Sequence, residues 1–224
     1  MQYLKENIKQ GNEMKNYQFT NTWFQNTAQK NWDILIPQLI KPTTILEVGS
    51  YEGASACYMI EKMTSLDSIE IHCIDTWEGG VEHQNGGTAE SNMATVESRF
   101  TQNTNFAIEQ ASNNVDLRIH KGYSDVCMAQ LISEGKKGYF DFVYIDGSHQ
   151  APDVLCDAIL GFKLLKPGGL LVFDDYLWHE ELITGREILR CPKPAIDAFV
   201  NLFFRKINVL PMPLYQIYVQ KISD

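Results

Sequence analysis

The sequence predicts an α/β fold: a doubly wound, mostly parallel sheet of seven strands with helices on both faces and an antiparallel C-terminal hairpin. Strand and helix patterns alternate through the middle of the chain, and four of the strand patterns end in acidic residues. The last two strand patterns are too close together for a helix between them. Alternation of this kind is typical of parallel sheets, whose ligands bind at the carboxyl ends of the strands.

The strand patterns are short apolar runs rich in β-branched residues. They occupy residues 43–48, 69–74, a run that starts at 117–119, 140–145, 170–173, 207–210 and 215–219. Helical periodicity occupies residues 54–64, 91–113, 125–134, 152–165 and 194–204. Residues 166–169, Lys-Pro-Gly-Gly, are expected to end the fourth of these helices. Residues 211–213, Pro-Met-Pro, leave room only for a turn, which predicts the hairpin.

The N-terminal part of the chain is predicted to be a helical arm. Residues 22–40 carry apolar side chains at helical spacing and should cover one edge of the core. Pro42 breaks this pattern. The predicted division is therefore an arm over residues 1–40 and a single α/β domain over residues 41–224.

Composition narrows the class of protein. A chain of 224 residues with 44% hydrophobic residues suits one globular domain with a large core. The net charge of −9 disfavours a nucleic-acid partner, since phosphates repel an acidic surface. No apolar run reaches membrane-spanning length, so no membrane partner is expected. The odd number of cysteines, without a C-x-x-C pair, suggests reduced thiols and a cytoplasmic location.

Acidic residues stand at the ends of four predicted strands. They are Glu47, Asp75, Asp146, and the pair Asp174 and Asp175. Each acid alone could simply cap the helix that follows it. Five carboxylates at one sheet edge would repel each other unless a cation neutralised them. We therefore expect a positively charged ligand, a metal ion, or both at this edge.

The turn after the first strand indicates the kind of cofactor. It reads Glu47-Val-Gly49-Ser-Tyr51-Glu52-Gly53, in which Gly49 permits a tight turn and Gly53 a close approach at the helix start. The dinucleotide fingerprint needs a glycine where Tyr51 stands, so a pyrophosphate would be obstructed. A cofactor that is cationic and lacks phosphates, such as S-adenosylmethionine, fits better.

The second strand leads into a further set of candidate residues. Asp75 follows Gly49 at the spacing of the acid that accepts ribose hydroxyls in related sites. Trp77 could stack on the ribose or adenine, or could pack in the core. Residues 78–90, with glycine pairs at 79–80 and 86–87, read either as a mobile lid or as a disordered excursion.

These motifs resemble those of a known enzyme superfamily. The pattern Glu47-x-Gly49-x-x-x-Gly53, followed by Asp75, is similar to the first motifs of class I S-adenosylmethionine-dependent methyltransferases, which have a Rossmann-like fold. The stretches 140–149 (FDFVYIDGSH) and 165–176 (LKPGGLLVFDDY) resemble the narrower macrocin-type, catechol-O-methyltransferase-like branch. The resemblance covers about residues 43–180 and none of the N-terminal arm.

The resemblance implies roles for individual residues. The methyl-donor site would comprise Glu47, Gly49, Ser50, Gly53, Ser55, Asp75, Thr76, Trp77, Ser124 and Asp146. A divalent metal, usually Mg²⁺, would be held by Asp146, Asp174 and Asp175. His149 would be the general base, with Asp146 as the second catalytic residue. Chemistry agrees, because Mg²⁺ prefers carboxylate oxygens and a histidine can accept a proton near neutral pH.

The predicted activity is methyl transfer to a hydroxyl of a small molecule: a sugar, a natural product or a phenol. Three alternatives stay open: a metal-independent methyltransferase in which His149 acts alone, a nucleotide-dependent oxidoreductase, which Tyr51 disfavours, and a non-catalytic Rossmann ligand-binding module. The N-terminal helices and the C-terminal hairpin could form a homodimer contact, and core packing explains them equally well.

Overall fold

The computed structural model describes residues 17–38, 41–84, 87, 89–213 and 215–224. Residues 1–16 of the predicted arm lie outside this part of the chain. The strands are β1 Thr44–Val48, β2 Ile69–Asp75, β3 Val115–Lys121, β4 Phe140–Ile145, β5 Leu165–Phe173, β6 Ile207–Val209 and β7 Ile217–Lys221. The α-helices are α1 Trp23–Asn26, α2 Gln29–Leu35, α3 Ala54–Met63, α4 Val96–Gln110, α5 Ser124–Ser133, α6 Ala151–Leu164 and α7 Lys193–Phe203. Short 3-10 turns occur at Ile36–Gln38, Val81–His83, Met93–Thr95 and Ile188–Arg190.

The seven strands form one sheet in the order β3-β2-β1-β4-β5-β7-β6. Strands β1 to β5 are parallel, and β7 is antiparallel to both β5 and β6. The predicted fold class is therefore confirmed, including the C-terminal hairpin. Strand order reverses between β1 and β4, and a crevice at that reversal is where doubly wound sheets bind ligands.

Helices cover both faces of the sheet, and each face has its own core. Helices α1 to α4 pack on one face around residues such as Trp32, Met59 and Phe100. Helices α5 to α7 pack on the other, around residues such as Met128 and Phe162. This division follows from the strands, which are apolar on both sides and so must be covered on both.

The helices before β1 pack on the face of the sheet, so the expectation that they cover an edge is wrong. Trp32 of α2 is fully buried, and its ring lies 5.5 Å from that of Phe142 and 4.8 Å from that of Tyr144. Both belong to β4, the middle strand of the sheet. A tryptophan at this point buries more apolar area than an edge position could offer.

Three predicted boundaries also differ from those observed. The helix expected over residues 91–113 is the shorter α4, since residues 93–95 form a 3-10 turn. Strand β5 begins at Leu165, so residues 166–169 lie inside the strand and not in a stop after the helix. Strand β7 runs two residues past Val219 because Lys221 is buried and donates to the carbonyl oxygens of Phe162 and Leu165.

Gly49 brings the end of β1 against the end of β4. Its φ of +85° is the left-handed conformation that favours glycine, and its N–H donates to the carbonyl of Ile74 over 2.9 Å. A Cβ atom at this position would lie 2.0 Å from the carbonyl oxygen of Asp146. The tight turn predicted at Gly49 thus also sets the distance between the two strands that flank the crevice.

Within the described residues, no helix is both long and apolar enough to cross a membrane.

We predict that Gly49→Ala lowers the free energy of unfolding by about 2–5 kcal/mol, because left-handed strain of about 1–2 kcal/mol adds to overpacking of about 1–3 kcal/mol. Gly135→Ala is the matched control, since Gly135 has a φ of +87° but nothing within 4 Å of its Cβ position. Gly135→Ala should lower the free energy of unfolding only by the left-handed backbone strain. Urea unfolding measures both, and equal losses would show that the contact with Asp146 is not needed.

Candidate active site

A cavity of about 420 Å³ opens at the carboxyl ends of β1, β4 and β5. The first turn borders one side with Gly49, Ser50 and Ser55. The other side carries the predicted metal and base residues Asp146, His149, Asp174 and Asp175. Further lining comes from the N-terminal segment, the segment after β2 and the segment after β5, with Asn21, Trp23, Phe24, Thr27, Glu82, His83, Ala89, Trp178, His179 and Glu181.

Glu47 lies beneath the first turn and not in the cavity. It is fully buried and accepts hydrogen bonds from the hydroxyls of Ser50, over 2.6 Å, and Ser55, over 2.5 Å. Burial raises the pKa of Glu47 to about 7, against the opposing effect of these hydrogen bonds. Glu47 therefore shapes the turn from below and orients two hydroxyls that line the cavity.

Asp75 supports the same turn from behind. Its Oδ2 accepts the N–H groups of Ser50 and Tyr51 over 2.9 and 2.8 Å, and its Oδ1 accepts the N–H of Trp77 over 2.6 Å. Asp75 does not line the cavity in this arrangement. The backbone donors of the turn are thus bonded to a carboxylate, so they are not offered to a phosphate.

Four other predicted cofactor residues lie outside the cavity. Trp77 is buried against Phe100 and donates its ring N–H to the carbonyl of Tyr51, which is the core-packing alternative. Gly53 begins α3 behind the turn, and Thr76 stands beside Asp75. Ser124 donates its hydroxyl to Asp157 on α6 over 2.6 Å. The structure therefore does not bring these four residues to the first turn's open side.

Two of the five strand-end acids, Asp146 and Asp174, meet around the hydroxyl of Tyr144, and Asp175 adjoins them. That hydroxyl donates to Asp174 and lies 3.1 Å from Asp146 Oδ2. The backbone N–H of Asp175, whose φ is +55°, donates to Asp174 Oδ1 over 2.8 Å. Burial raises the pKa of both Asp146 and Asp174, and the neighbouring acidic charges raise it further. The expected convergence therefore holds for Asp146, Asp174 and Asp175, and not for Glu47 or Asp75.

His149 stands beside this acidic group and is held on three sides. Its Nε2 lies 2.9 Å from Asp175 Oδ2, its Nδ1 lies 3.2 Å from Glu82 Oε1, and its ring stacks on Trp178 at 4.0 Å. Burial lowers the pKa of His149, but the hydrogen bonds and charges of Asp175 and Glu82 outweigh it and raise that pKa to about 10. In this arrangement His149 is an imidazolium at neutral pH.

Comparison with known proteins assigns the family. A family model described as a methyltransferase domain matches residues 46–176, which contain the first turn and all the acids around Tyr144. The chain belongs to this methyltransferase family.

The methyltransferase is similar to a curated relative and to two solved structures that are themselves O-methyltransferases. A probable caffeoyl-CoA O-methyltransferase from Dictyostelium discoideum is 23% identical over 87% of this chain and 70% of its own length. An O-methyltransferase from Bacillus cereus, solved in complex with SAH, has a TM-score of 0.58 at 16% identity, over 96% of this chain and 90% of the other. TomG from Streptomyces achromogenes, solved with SAM, has a TM-score of 0.60 at 14% identity, over 88% and 80%. These structures confirm the fold of the methyltransferase.

Asp146, Asp174 and Asp175 are the residues that would hold a divalent metal ion. Within the described ranges, no three His, Cys, Asp or Glu side chains converge as metal ligands. Both carboxyl oxygens of Asp175 are engaged, one by His149 and the other by the hydroxyl of Tyr215 over 2.7 Å. The donor set nevertheless suits Mg²⁺, because three hard carboxylates repel each other here and a divalent cation would relieve that repulsion.

Sequence reasoning missed several cavity residues of the methyltransferase. Glu82 was hidden in the glycine-rich segment 78–90, which carried no recognised motif, although its paired glycines were a sign of close packing. Trp23 belongs to the N-terminal helices, where aromatic residues looked like core. Tyr144 looked like an ordinary strand residue, and only the strand pairing shows that its hydroxyl reaches two acids.

We predict that Glu47→Gln makes the methyltransferase more stable relative to wild type at pH 8 than at pH 5. The pKa of Glu47 is raised from 4.5 to about 7, so its contribution to stability is complete below pH 4.5 and lost as pH rises through 7. Glutamine stays neutral. The difference in melting temperature should grow by roughly 5 °C over this range.

Glu78→Gln, at an exposed position, is the control for loss of a carboxylate. A pH-independent difference for Glu47→Gln would contradict the burial of an ionisable carboxyl.

Proposed function

We propose that this methyltransferase uses S-adenosylmethionine to methylate a hydroxyl of a small molecule. One observation carries the proposal. A single cavity is bordered by a turn whose backbone N–H groups are already bonded to a carboxylate, and by a histidine and three carboxylates. The turn suits a cofactor without phosphates. The histidine and the carboxylates suit deprotonation of a hydroxyl.

The charge of the cavity suits this donor. S-adenosylmethionine is cationic at its sulfonium, and the cavity is lined by the acidic side chains of Asp146, Asp174 and Asp175. In a site shielded from water, such charges attract a cation more strongly than they would in bulk solvent. The similar proteins are O-methyltransferases, two of them solved with SAH or SAM, which supports the same donor and the same class of acceptor.

The reaction needs alignment more than covalent assistance. The acceptor oxygen attacks the methyl carbon, the new O–C bond forms as the C–S bond breaks, and the electron pair stays on sulfur, which becomes a thioether. The hydroxyl proton must go to a base. The first turn would orient the donor, and the enclosing segments around Trp23 and Trp178 would exclude water and orient the acceptor.

His149 is the residue placed to take that proton at Nε2, which lies beside Asp175. As an imidazolium it cannot do so, and the carboxylates of Asp175 and Glu82 are what hold its pKa near 10. A cation near Asp175 would offset one of these charges and lower the pKa of His149 towards neutrality. Donor binding and base activation are therefore coupled in this proposal.

We extend the proposal to a Mg²⁺ ion held by Asp146, Asp174 and Asp175. Such an ion would polarise the acceptor hydroxyl and lower its pKa. The mutual repulsion of the three carboxylates supports it.

The second candidate is the metal-independent enzyme of the same fold. Its support is the engagement of both Asp175 oxygens by His149 and Tyr215 and the engagement of Asp174 by Tyr144, which leaves these acids satisfied without an ion. The acceptor class, the homodimer and the cytoplasmic location stay predictions in either case.

Calorimetric titration of S-adenosylmethionine into metal-stripped protein, with and without Mg²⁺, tests both candidates. We expect binding of the donor in both conditions and a separate or enhancing effect of Mg²⁺, which Asp175→Asn should remove. Donor binding that Mg²⁺ leaves unchanged would favour the metal-independent enzyme. Absence of donor binding would contradict the proposed function.

His149→Ala should reduce methyl transfer by about 10²- to 10⁴-fold while donor affinity changes little, because a general base contributes to the rate and not to binding. His120→Ala, on β3 at the far edge of the sheet, is the matched control and should keep its activity. Full activity of His149→Ala would remove the base assignment.

A further inference from the structure

Glu82 is an unexpectedly buried acid in the segment between β2 and α4. It belongs to the 3-10 turn Val81–His83, and only 3% of its surface is exposed. Burial of a carboxylate costs free energy unless a charged or hydrogen-bonding partner compensates. The buried Glu82 carboxylate therefore needs a partner that compensates its charge.

Two glycines make this burial sterically feasible. A Cβ atom on Gly80 would lie 2.3 Å from Glu82 Oε1, and a Cβ atom on Gly87 would lie 2.2 Å from the Glu82 carbonyl oxygen. Any larger residue at either position would displace the acid. The backbone is also fixed there, since the N–H of Ala89 donates to that carbonyl over 3.0 Å. The segment is thus built to direct the Glu82 carboxylate inwards.

The partner is His149. Two histidine nitrogens lie near Glu82 Oε1, namely His83 Nδ1 at 3.4 Å and His149 Nδ1 at 3.2 Å. His83 Nδ1 already accepts the N–H of Gly80 over 3.0 Å, so it carries no proton to donate. His149 Nδ1 is buried, lies off the ideal hydrogen-bond direction to Glu82, and has no other hydrogen-bond partner among the described residues. The contact of His149 Nδ1 with Glu82 is therefore an ion pair at 3.2 Å.

We propose that Glu82 is a positioning residue that fixes the imidazole of His149 through Nδ1 and so presents Nε2 to the cavity. The inference rests on the proposed function, in which Nε2 takes the acceptor proton. Stacking on Trp178 fixes the plane of the ring, and the contacts of Nε2 with Asp175 and of Nδ1 with Glu82 limit its rotation within that plane. Of these two contacts, only the one with Glu82 leaves the nitrogen assigned to proton transfer unoccupied.

The first test reads the imidazole directly and needs no activity. ¹⁵N-histidine spectra of metal-free protein are recorded for wild type, Glu82→Ala, Glu82→Gln and the control Glu78→Gln, with His149→Ala to assign the signal. We expect the His149 Nδ1 resonance to move in Glu82→Ala, to move less in Glu82→Gln, whose amide oxygen still accepts, and to stay in Glu78→Gln. An unmoved resonance in both Glu82 variants would overturn the proposal.

The second test separates rate from binding. In Glu82→Ala, kcat should fall by about 10- to 100-fold, the scale for loss of a group that orients a catalytic ligand, while KM for S-adenosylmethionine changes less than about twofold. Glu82→Gln should recover part of the rate, and Gly80→Ala should reproduce the loss by displacing the carboxylate. A kcat for Glu82→Ala equal to that of Glu78→Gln would contradict the role.

The two tests also separate this inference from the proposed function. If donor binding or wild-type turnover is absent, the function fails, yet the ¹⁵N spectra still decide whether Glu82 positions His149. Glu82→Gln has nearly the same shape as the native residue, so it keeps the question answerable even where Glu82→Ala does not fold.

Discussion

The contact between Gly49 and the backbone of Asp146 is the constraint on which the site depends. It allows the turn after β1 to lie against the end of β4, at the point where strand order reverses. The first turn and the acidic group are thereby on two sides of one cavity. The buried Glu47 below the turn and Asp75 behind it hold that turn in the same place.

The charged groups that line the cavity are paired with neighbouring side chains, and a cationic ligand would change that pairing. Tyrosine hydroxyls engage Asp174 and Asp175, and His149 lies between Asp175 and Glu82. Such a network is costly to leave half satisfied, because each buried charge needs its partner. A cation that entered this site would change the proton affinity of its neighbours as well as bind to them, which is how the proposed function links recognition of the donor to chemistry.

The sequence predicts the sheet and the acidic group well, because both follow from local patterns. Apolar runs ending in an acid fix where each strand stops, and the parallel topology then brings Asp146, Asp174 and Asp175 to one edge. The sequence does not reveal that the Asp75 carboxylate accepts hydrogen bonds from backbone N–H groups, or that Trp77 packs in the core. Both features depend on side-chain rotation after the fold has formed. Lys221 shows the same limit: the last strand pattern ends at residue 219, but two distant carbonyls bind the Lys221 ammonium in the interior and extend the strand.

The burial of Trp32 has a consequence for how the chain reaches its native state. The indole N–H donates to Gln216 Oε1 over 3.2 Å, so a closed sheet face requires residues 184 positions apart. Loop-closure entropy must be overcome before such a contact contributes, so folding is expected to be slow for a domain of this size. Until this contact forms, the rings of Phe142 and Tyr144 are exposed, and the nascent chain presents an apolar strand surface that is prone to aggregation. We therefore expect productive expression of the chain in cells to depend on a chaperone or on a narrow range of temperatures.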